Sequence, residues 1–565
     1  MEWIRRDGCK TIEDVIERNT NTSIDKFIDV NIETEISGLD EAYEMILKAV
    51  ADGEHITIFG DYDADGVTST SILWSAIRML SGKNPTARLP RRFSEGYGFS
   101  MKAVDEINEG LLITVDNGIA AIEPIAKIKE KGVSVIIIDH HLAGTEVPNA
   151  DIIVNPHYRR NNENDFHEWC GAGLAYRLCE KLIPHFPCSD KIKNAMHSYF
   201  VQLAAIGTVC DVMPLIKDNR KIVIEGLKEL NQNPCKGIKA ILTETETEYV
   251  DEMTCGFLLG PMINAAGRME DDGPMVAFDL LTASNREGSC SIEINANALV
   301  EYNTKRKALV AEALESTEDI IATKCLYGNY PLIVVNETIS EGIIGIIAGK
   351  LAEKYCVPTI VFTESSTPGV LKGSARTAGD VSVKAMMDAA KDYILKYGGH
   401  PGAGGLSVSV DKIDDMYDAM NEYMGEYDIK AQNDIKYDLE VDVSELASAL
   451  VTVKKYAPYG EGNPRIIFKI KPFYLSPRQG LFYKLMGEKS EHIKLFGNEF
   501  SAIGFGLSSL YDDSGDKSIE CVGNLSENIF RGCGELQIEM QDFRHCSMTK
   551  KSALAELLAT KLKSL

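Results

Sequence analysis

Three aspartates alternate within one short stretch of the chain. Asp61, Asp63 and Asp65 lie in Gly60–Gly66, directly after the apolar run His55–Phe59. Carboxylates this close repel one another, and a hard divalent cation relieves the repulsion because it prefers oxygen ligands. The pattern also resembles the start of a calcium-binding EF-hand loop, but no glutamate stands at its twelfth position. A solvated turn is the other alternative, and we expect a metal site.

Three further polar clusters follow other regular segments of the chain. They are Asp116-Asn-Gly, Asp139-His140-His141 and Gly207–Asp211. Asn-Gly taken alone is typical of a tight turn, because it adopts left-handed geometry at little cost. Adjacent histidines at a strand end are uncommon, and imidazole is a good ligand for manganese, iron or zinc.

The combined ligand set is rich in oxygen, poor in nitrogen and free of thiolates. It consists of Asp63, Asp65, Asp116, His140 and Asp211. This composition favours manganese or magnesium over structural zinc. Two such ions can generate hydroxide, orient it in line and stabilise the leaving oxygen of a phosphoester. The residues therefore predict phosphoester hydrolysis that depends on two metal ions.

The elements that must position these clusters are those of a parallel, doubly wound sheet. From residue 55, short aliphatic runs alternate with helical stretches, as in the run Leu111–Val115, the stretch Ile122–Lys131 and the run Val133–Ile138. Functional groups gather beyond the carboxyl ends of the strands in such sheets. We therefore expect the first three clusters to meet at one edge of one sheet.

Composition narrows the function classes further. The net charge of −25 argues against a generic polyanion binder, although a local basic groove remains compatible with it. The 13 cysteines include no Cys-x-x-Cys pair, which argues against a disulfide framework or a zinc ribbon. Aliphatic runs such as Val135–Ile138 are too short to cross a bilayer, so we expect a cytoplasmic protein without membrane contact.

The four clusters, in this order and spacing, resemble the signature motifs of the DHH phosphoesterase superfamily, which is named after the triplet Asp139–His141. Within it, four further stretches resemble the RecJ family: Cys170–Tyr176, Gly207–Leu215, Gly260–Arg268 and Pro458–Pro464. The resemblance implies an α/β fold whose DHH domain has a parallel sheet. The implied fold also includes a long connecting helix, a smaller α/β DHH-associated domain and a C-terminal β-barrel of the OB-fold type.

On this basis we divide the chain into six segments. They are an N-terminal helical segment (1–50), a DHH catalytic domain with two metals (51–284), a connecting helix (285–325), a DHH-associated substrate-binding domain (326–430), an OB-fold (437–546) and a C-terminal helix (547–565).

The resemblance also implies roles for individual residues. Asp63 and Asp65 would each hold one metal, with Asp61 as a further ligand. Asp116 would bridge the two ions, and His140 and Asp211 would complete the coordination. Asp139, which orients the ligands, and His141, which faces the scissile phosphate, are the predicted catalytic residues. The predicted substrate-binding residues are Asn264, Arg268, Ser374, Arg376, His400, Gly404 and Gly405.

Two alternatives stay open among these residues. Arg268 could form a surface salt bridge, and the glycine-rich run Gly398–Gly405 could be a structural turn. In the OB-fold we expect base stacking from some of Tyr459, Phe468, Phe482 and Tyr483, and phosphate contacts from Lys469, Lys471, Lys484 and Lys494.

The implied function is a metal-dependent exonuclease specific for single-stranded DNA, running 5′ to 3′ in DNA repair and recombination. The family suggests a monomer, with a single-strand-binding protein and a helicase as candidate partners. A DHH phosphodiesterase for short oligonucleotides or cyclic dinucleotides is the enzymatic alternative, but it generally lacks an OB-fold. The length of this chain and its extra domain argue further against a family II inorganic pyrophosphatase. An inactive replisome scaffold is the non-enzymatic alternative, and it should have lost metal ligands.

Overall fold

The structure is a computed structural model that describes residues 2–29, 34–96, 98–159, 166–283, 291–365, 367–379, 381–425, 427, 434–530 and 533–546. The chain divides into two compact units, which are described separately. The first contains Met1–Asn264, Pro274–Asn297 and Asp434–Leu565, and the second contains Ala265–Gly273 and Ala298–Asn433. The C-terminal region therefore belongs to the same unit as the aspartate clusters.

The N-terminal segment is only partly helical. It contains strand β1 (Trp3–Arg5) and helices α1 (Ile12–Thr20), α2 (Ile24–Ile28) and α3 (Leu39–Asp52). Thr11 caps α1: its hydroxyl accepts a hydrogen bond from the Asp14 amide, and the Asp14 carboxylate accepts one from the Thr11 amide.

The predicted parallel sheet follows. Its strands are β2 (Ile56–Phe59), β3 (Thr86–Arg88), β4 (Leu111–Val115), β5 (Ser134–Ile138) and β6 (Ile152–Val154). They lie in the order β3-β2-β4-β5-β6, and every neighbouring pair is parallel. All residues of β2 and β4 are buried, as expected of a sheet covered on both faces.

Helices make up most of the rest of the catalytic region. They are α4 (Ala64–Ser81), α5 (Met101–Val104), α6 (Ile122–Glu130), α7 (Gly171–Leu182), α8 (Asp190–Cys210), α9 (Lys217–Gln232), α10 (Lys236–Glu244), α11 (Glu252–Thr254), α12 (Gly260–Met269) and α13 (Gly273–Thr282). The predicted connecting helix is α14 (Ile292–Thr323); residues 285–290 of the prediction lie outside the described residues.

The second unit contains a mixed sheet. Its elements are β7 (Leu332–Val335), α15 (Ile344–Tyr355), β8 (Thr359–Glu364), β9 (Val370–Arg376), α16 (Val383–Ala389), β10 (Ile394–His400), β11 (Ala403–Ser409) and α17 (Ile413–Met424). The strand order is β10-β11-β9-β8-β7, and only the β7–β8 pair is parallel. The glycine-rich run Gly398–Gly405 forms the β10–β11 hairpin.

The C-terminal region is β-rich. It comprises β12 (Ile435–Tyr437), β13 (Leu439–Val441), α18 (Leu446–Lys455), β14 (Phe468–Tyr474), β15 (Tyr483–Met486), β16 (His492–Phe496), β17 (Phe500–Gly504), β18 (Ser518–Phe530) and β19 (Cys533–His545). Seven strands form one sheet in the order β13-β14-β18-β19-β17-β16-β15. The predicted helix over 547–565 lies outside the described residues.

The N-terminal segment packs into the core of this C-terminal region. β1 pairs with β12 in parallel, and Ile12, Val15 and Ile16 share one apolar cluster with residues of the seven-stranded sheet. Arg6 and Arg18 both contact the buried Asp438. Among the described residues, no helix combines the length and apolar character that a membrane span needs.

Candidate metal centre and substrate contacts

The loop after β2 carries three aspartates at the carboxyl edge of the sheet. Asp61 and Asp65 are almost fully buried, and Asp63 is the N-cap of α4, where its Oδ1 accepts a hydrogen bond from Gly66 N at 3.0 Å. A Cβ added to Gly66 would lie 2.6 Å from Asp61 Cα, so only glycine fits there. Capping and close packing, together with the helix dipole, hold the three carboxylates in one place.

The next two strands end in single aspartates with different surroundings. Asp116 follows β4 in the left-handed region, with φ 59°, and its amide donates to the carbonyl of Ile138 at 2.9 Å. Asp139 follows β5; its Oδ2 accepts a hydrogen bond from Ile119 N at 2.9 Å, and its Oδ1 lies 2.7 Å from Nδ1 of His141. Both carboxylate oxygens of Asp139 thus interact with N–H groups of the protein.

Asp139 and His141 form a charged pair. Burial opposes the imidazolium, but the hydrogen bond to Asp139 and the charge of Asp139 raise the pKa of His141 to about 9. Burial also disfavours the carboxylate, yet the hydrogen bond and charge of His141 hold the pKa of Asp139 below its ordinary value. His141 is therefore a cation at neutral pH, and its side chain is 43% exposed.

His140 points into the aspartates. Its Nε2 lies 3.0 Å from Asp116 Oδ1, 3.5 Å from Asp211 Oδ2 and 3.8 Å from Asp65 Oδ2. Burial, and then the charge of His141, lower the pKa of His140, so its imidazole is neutral and offers a lone pair to a metal. Three groups of donor atoms lie within 4.8 Å of one another: Asp116 with His140 and His141, Asp65 with His140 and Asp211, and Asp61 with Asp63 and Asp116.

The charge of these aspartates is not balanced by the protein. Burial, followed by the charge of neighbouring carboxylates, raises the pKa of Asp61, Asp63, Asp116 and Asp211. Oδ2 of Asp211 is also buried and accepts no hydrogen bond from the described residues. A buried acceptor without a donor costs free energy unless a ligand satisfies it. The oxygen-rich donor set and this orphaned oxygen both fit divalent metal ions.

The sequence reasoning missed how Asp65 is held. Its Oδ2 accepts a hydrogen bond from Gly171 N at 2.6 Å and its Oδ1 accepts one from Ala172 N at 2.8 Å, so the first amides of α7 fix both oxygens. A Cβ on Gly171 would lie 2.6 Å from Asp116 Cβ, and one on Gly207 would lie 2.8 Å from Asp65 Oδ1. The glycines of two of the family-like stretches could have suggested this close approach.

Asn264, a predicted substrate contact, lies beside the aspartate loop. Its Oδ1 accepts a hydrogen bond from Ala64 N at 2.8 Å, between Asp63 and Asp65. The side chain therefore positions the loop that carries the predicted metal ligands.

The other predicted substrate residues belong to the second unit. Nη1 of Arg268 donates to the carbonyl of Gly342 at 2.8 Å. Arg268 therefore contacts the backbone just before α15 begins. Arg376 donates to Ser374 Oγ at 3.0 Å and is half-buried, and this burial lowers its pKa. A Cβ on Gly345 would lie 2.9 Å from Nη2 of Arg376, in the first turn of α15. Guanidinium groups at a helix N-terminus suit an anion.

The glycine-rich hairpin lies beside this group. Gly405 is exposed and pairs with both Gly398 and Ser374. Gly404 is buried, and a Cβ added there would lie 2.4 Å from Met387 Cε, so a larger residue does not fit. Burial, followed by the charge of Arg376, lowers the pKa of His400. The run is thus a structural hairpin that also borders the cationic group.

The OB-fold candidates are only partly as predicted. Tyr459 and Phe468 are 6% and 2% exposed and belong to the core, which leaves Phe482 and Tyr483 as the candidates for base stacking. Phe482 and Tyr483 are half-buried. Lys469, Lys471 and Lys494 each lie within 4 Å of a glutamate or aspartate, while Lys484 is exposed. Acidic neighbours therefore offset most of the predicted basic track.

Comparison with known proteins places this geometry in a family. The DHH family N-terminal domain matches residues 55–208, the DHHA1 domain 328–426 and the RecJ OB domain 437–542. The chain is 31% identical over 540 residues to the single-stranded-DNA-specific exonuclease RecJ of Salmonella typhimurium, covering 90% of each chain. It belongs to the RecJ family. The chain is also 30% identical to RecJ of Bacillus subtilis over 90% of its own length, but it spans only 63% of that relative.

A solved structure of a RecJ protein agrees with the fold. RecJ from Thermus thermophilus in complex with Mn²⁺ matches 95% of this chain and 76% of its own, with a TM-score of 0.77 at 23% identity. Within this RecJ-family chain, Asp61 to His141 lie in the DHH match and Asp211 just beyond it. Ser374, Arg376 and His400 lie in the DHHA1 match.

Proposed function

We propose that this protein is a metal-dependent exonuclease that degrades single-stranded DNA. The observation that carries the proposal is the cluster of buried carboxylates around His140, where the pKa values of four aspartates are raised and one carboxylate oxygen is unsatisfied. The relatives that share this chain's domains bear the name of single-stranded-DNA-specific exonuclease.

The residues that would hold two divalent ions, Mn²⁺ or Mg²⁺, are six of the clustered donors. They are Asp61, Asp63, Asp65, Asp116, His140 and Asp211. When bound, such ions supply a hydroxide at neutral pH and stabilise charge on a phosphoester. Asp116 is the candidate bridge, because it stands beside His140 and also belongs to the donor group of Asp61 and Asp63.

His141 would act on the substrate directly. It is partly exposed and cationic, and Asp139 fixes its Nδ1, so its Nε2 would donate to an oxygen of the scissile phosphate. Asp139 would fix the orientation of the His141 ring and stabilise its positive charge. This pair therefore stabilises the negative charge that grows on the phosphate during attack.

The cationic group of the second unit would bind a phosphate of the strand. Arg376, Ser374, Arg268 and His400 offer N–H and O–H donors near the first turn of α15, and Gly405 adds an exposed backbone position. The 5′ to 3′ direction is part of the proposal and rests on the family relationship.

The enzymatic alternative is a phosphodiesterase for short oligonucleotides or cyclic dinucleotides. The match to the RecJ OB domain over residues 437–542 favours a longer single strand. An inactive scaffold is disfavoured because all the predicted metal ligands are present. We further propose that the protein acts as a monomer in DNA repair and recombination and cooperates with a single-strand-binding protein and a helicase.

Digestion of end-labelled oligonucleotides tests the proposal. We expect mononucleotide release from single-stranded DNA with Mn²⁺ or Mg²⁺, little release from blunt duplex or RNA, and none after chelation. Equal rates on blunt duplex would refute strand specificity. Hydrolysis that survives chelation would refute the metal-dependent mechanism, and cleavage of dinucleotides alone would favour the phosphodiesterase.

A further inference from the structure

The loop Pro458–Pro464, hereafter the brace loop, packs against the segment that follows Asp211. The amide of Leu215 donates to the carbonyl of Glu461 at 2.7 Å. A Cβ added to Gly460 would lie 2.9 Å from Leu215 Cδ1, and one added to Gly462 would lie 3.0 Å from Pro214 Cβ. The OB-fold region thus reaches within four residues of a predicted metal ligand.

The segment after Asp211 needs such support because its backbone is strained at both ends. Val212 has φ 56° and Lys217 has φ 48°, and neither is glycine. A β-branched residue in the left-handed region is disfavoured by its Cβ, and such residues persist only where the surroundings enforce them. Val212 is 65% exposed, so its own side-chain packing does not supply the constraint.

A second contact fixes the downstream end of the segment. Arg220, in the first turn of α9, donates to the carbonyls of Tyr456, Ala457 and Pro458 at 3.1, 2.9 and 3.2 Å. Its guanidinium also lies 4.1 Å from the ring centre of Phe27 in the N-terminal segment. The segment from Asp211 to Arg220 is therefore held by the brace loop and by the residues just before it.

The brace loop is itself built to be rigid. Gly460 and Asn463 exchange backbone hydrogen bonds, and Gly462 occupies the left-handed position of this turn with φ 70°. The buried Asn463 side chain donates to the carbonyls of Tyr456 and Pro458 at 3.1 and 2.9 Å. The loop is therefore rigid enough to fix the position of the segment that it contacts.

We propose that the brace loop positions Asp211 and thereby sets the metal affinity of the catalytic centre. Leu215, Gly460 and Gly462 are then positioning residues, although none of them touches the substrate or a metal ligand. The inference rests on the proposed metal site. It gives the OB-fold region a second role, besides contact with the strand, because that region completes a catalytic element of the DHH domain.

Gly462→Ala is the principal test, with Gly480→Ala as its matched control. Both glycines have positive φ, 70° and 84°, but a Cβ at Gly480 would meet nothing within 4 Å. Both variants should therefore lose similar thermal stability, whereas only Gly462→Ala displaces Pro214. We expect Mn²⁺ binding, measured on the full chain by electron paramagnetic resonance of the free ion, to weaken about 10-fold in Gly462→Ala. Gly480→Ala should stay within about 2-fold of the parent protein.

A second pair keeps the test decisive should Gly462→Ala fold poorly. Leu215→Ala removes the side chain that contacts Gly460, while Leu475→Ala removes a similarly buried leucine of the C-terminal core. Weaker Mn²⁺ binding in Leu215→Ala than in Leu475→Ala supports the proposal.

Equal Mn²⁺ affinity in Leu215→Ala and Leu475→Ala, or parent-like affinity in folded Gly462→Ala, overturns the inference. A parent protein that binds Mn²⁺ but hydrolyses no DNA would instead end the proposed function.

Discussion

Two buried aspartates of the first unit have opposite surroundings. Asp438 is fully buried, and it accepts hydrogen bonds from Arg6, Arg18 and the amide of Ile467 at 2.9, 2.6 and 2.8 Å. Asp116 is 2% exposed, and carboxylates surround it. The first carboxylate is satisfied by the protein and stabilises the fold. The second lies 3.0 Å from the neutral His140 and among like charges, so a bound cation would stabilise it.

The largest expected effect concerns Asp116. Asp116→Asn should lower turnover on single-stranded DNA by at least about 10³-fold, roughly 4 kcal/mol of barrier, because the bridging charge is lost. Its unfolding midpoint in chelator should stay equal or rise, since a like charge leaves a crowded site. A fully active variant, or one that unfolds much more easily in chelator, would contradict the comparison.

Asp438→Asn should show the reverse pattern. Two arginines would lose their common partner, and we expect a loss of about 2 kcal/mol in the free energy of unfolding. Activity per folded molecule should stay within about 3-fold, which urea titration and a saturating-substrate assay measure separately. A large loss of turnover at unchanged stability would show that the two aspartates are not separable in this way.

Metal binding should stabilise the protein through the acidic cluster. With Mn²⁺ at about 100 times its dissociation constant, binding to the folded state alone adds roughly 2.7 kcal/mol. We expect a higher melting temperature with Mn²⁺ than with chelator in the parent protein, and a much smaller difference in Asp116→Asn. Asp438→Asn should keep the full difference, because Asp438 is not one of the clustered donors.

The smallest expected effect is at a surface pair. Glu180, whose Oε1 lies 3.9 Å from Nε2 of His197, raises the pKa of that histidine, whose side chain is 41% exposed. The raised pKa stabilises the fold below the ordinary histidine pKa, and the gain is lost as the pH rises through the folded value. Solvent screening keeps it below about 1 kcal/mol. His197→Gln should flatten the difference in unfolding midpoint between pH 5.5 and 8.5.

The sheet and its aspartates could be predicted because their signals are local. Fully apolar runs such as Leu111–Val115 define buried parallel strands, and the polar residue after each run must lie at one edge. The donors that hold Asp65 could not be found in this way, since Gly171 lies 106 positions further on. The alternation of apolar and polar residues also could not show whether Phe468 faces the protein core or a bound DNA strand. The structure buries it in the core.

The domain organisation shows the same limit. Sequence patterns give the N-terminal segment as helical, but the apolar face of its helix α1 is buried by a sheet whose strands come more than 400 positions later. The segmentation into 51–284, 326–430 and 437–546 stays a prediction, although family models match within each range.

The pairing of β1 with β12 has a consequence for biosynthesis. Arg6 meets Asp438 only after 432 further residues have been added, which takes roughly 20–90 s at ribosomal speeds. During that time the apolar face of α1, with Ile12, Val15 and Ile16, has no native cover. This face of α1 is thus synthesised long before it is buried, and the nascent chain should depend on chaperones until its C-terminal sheet is complete.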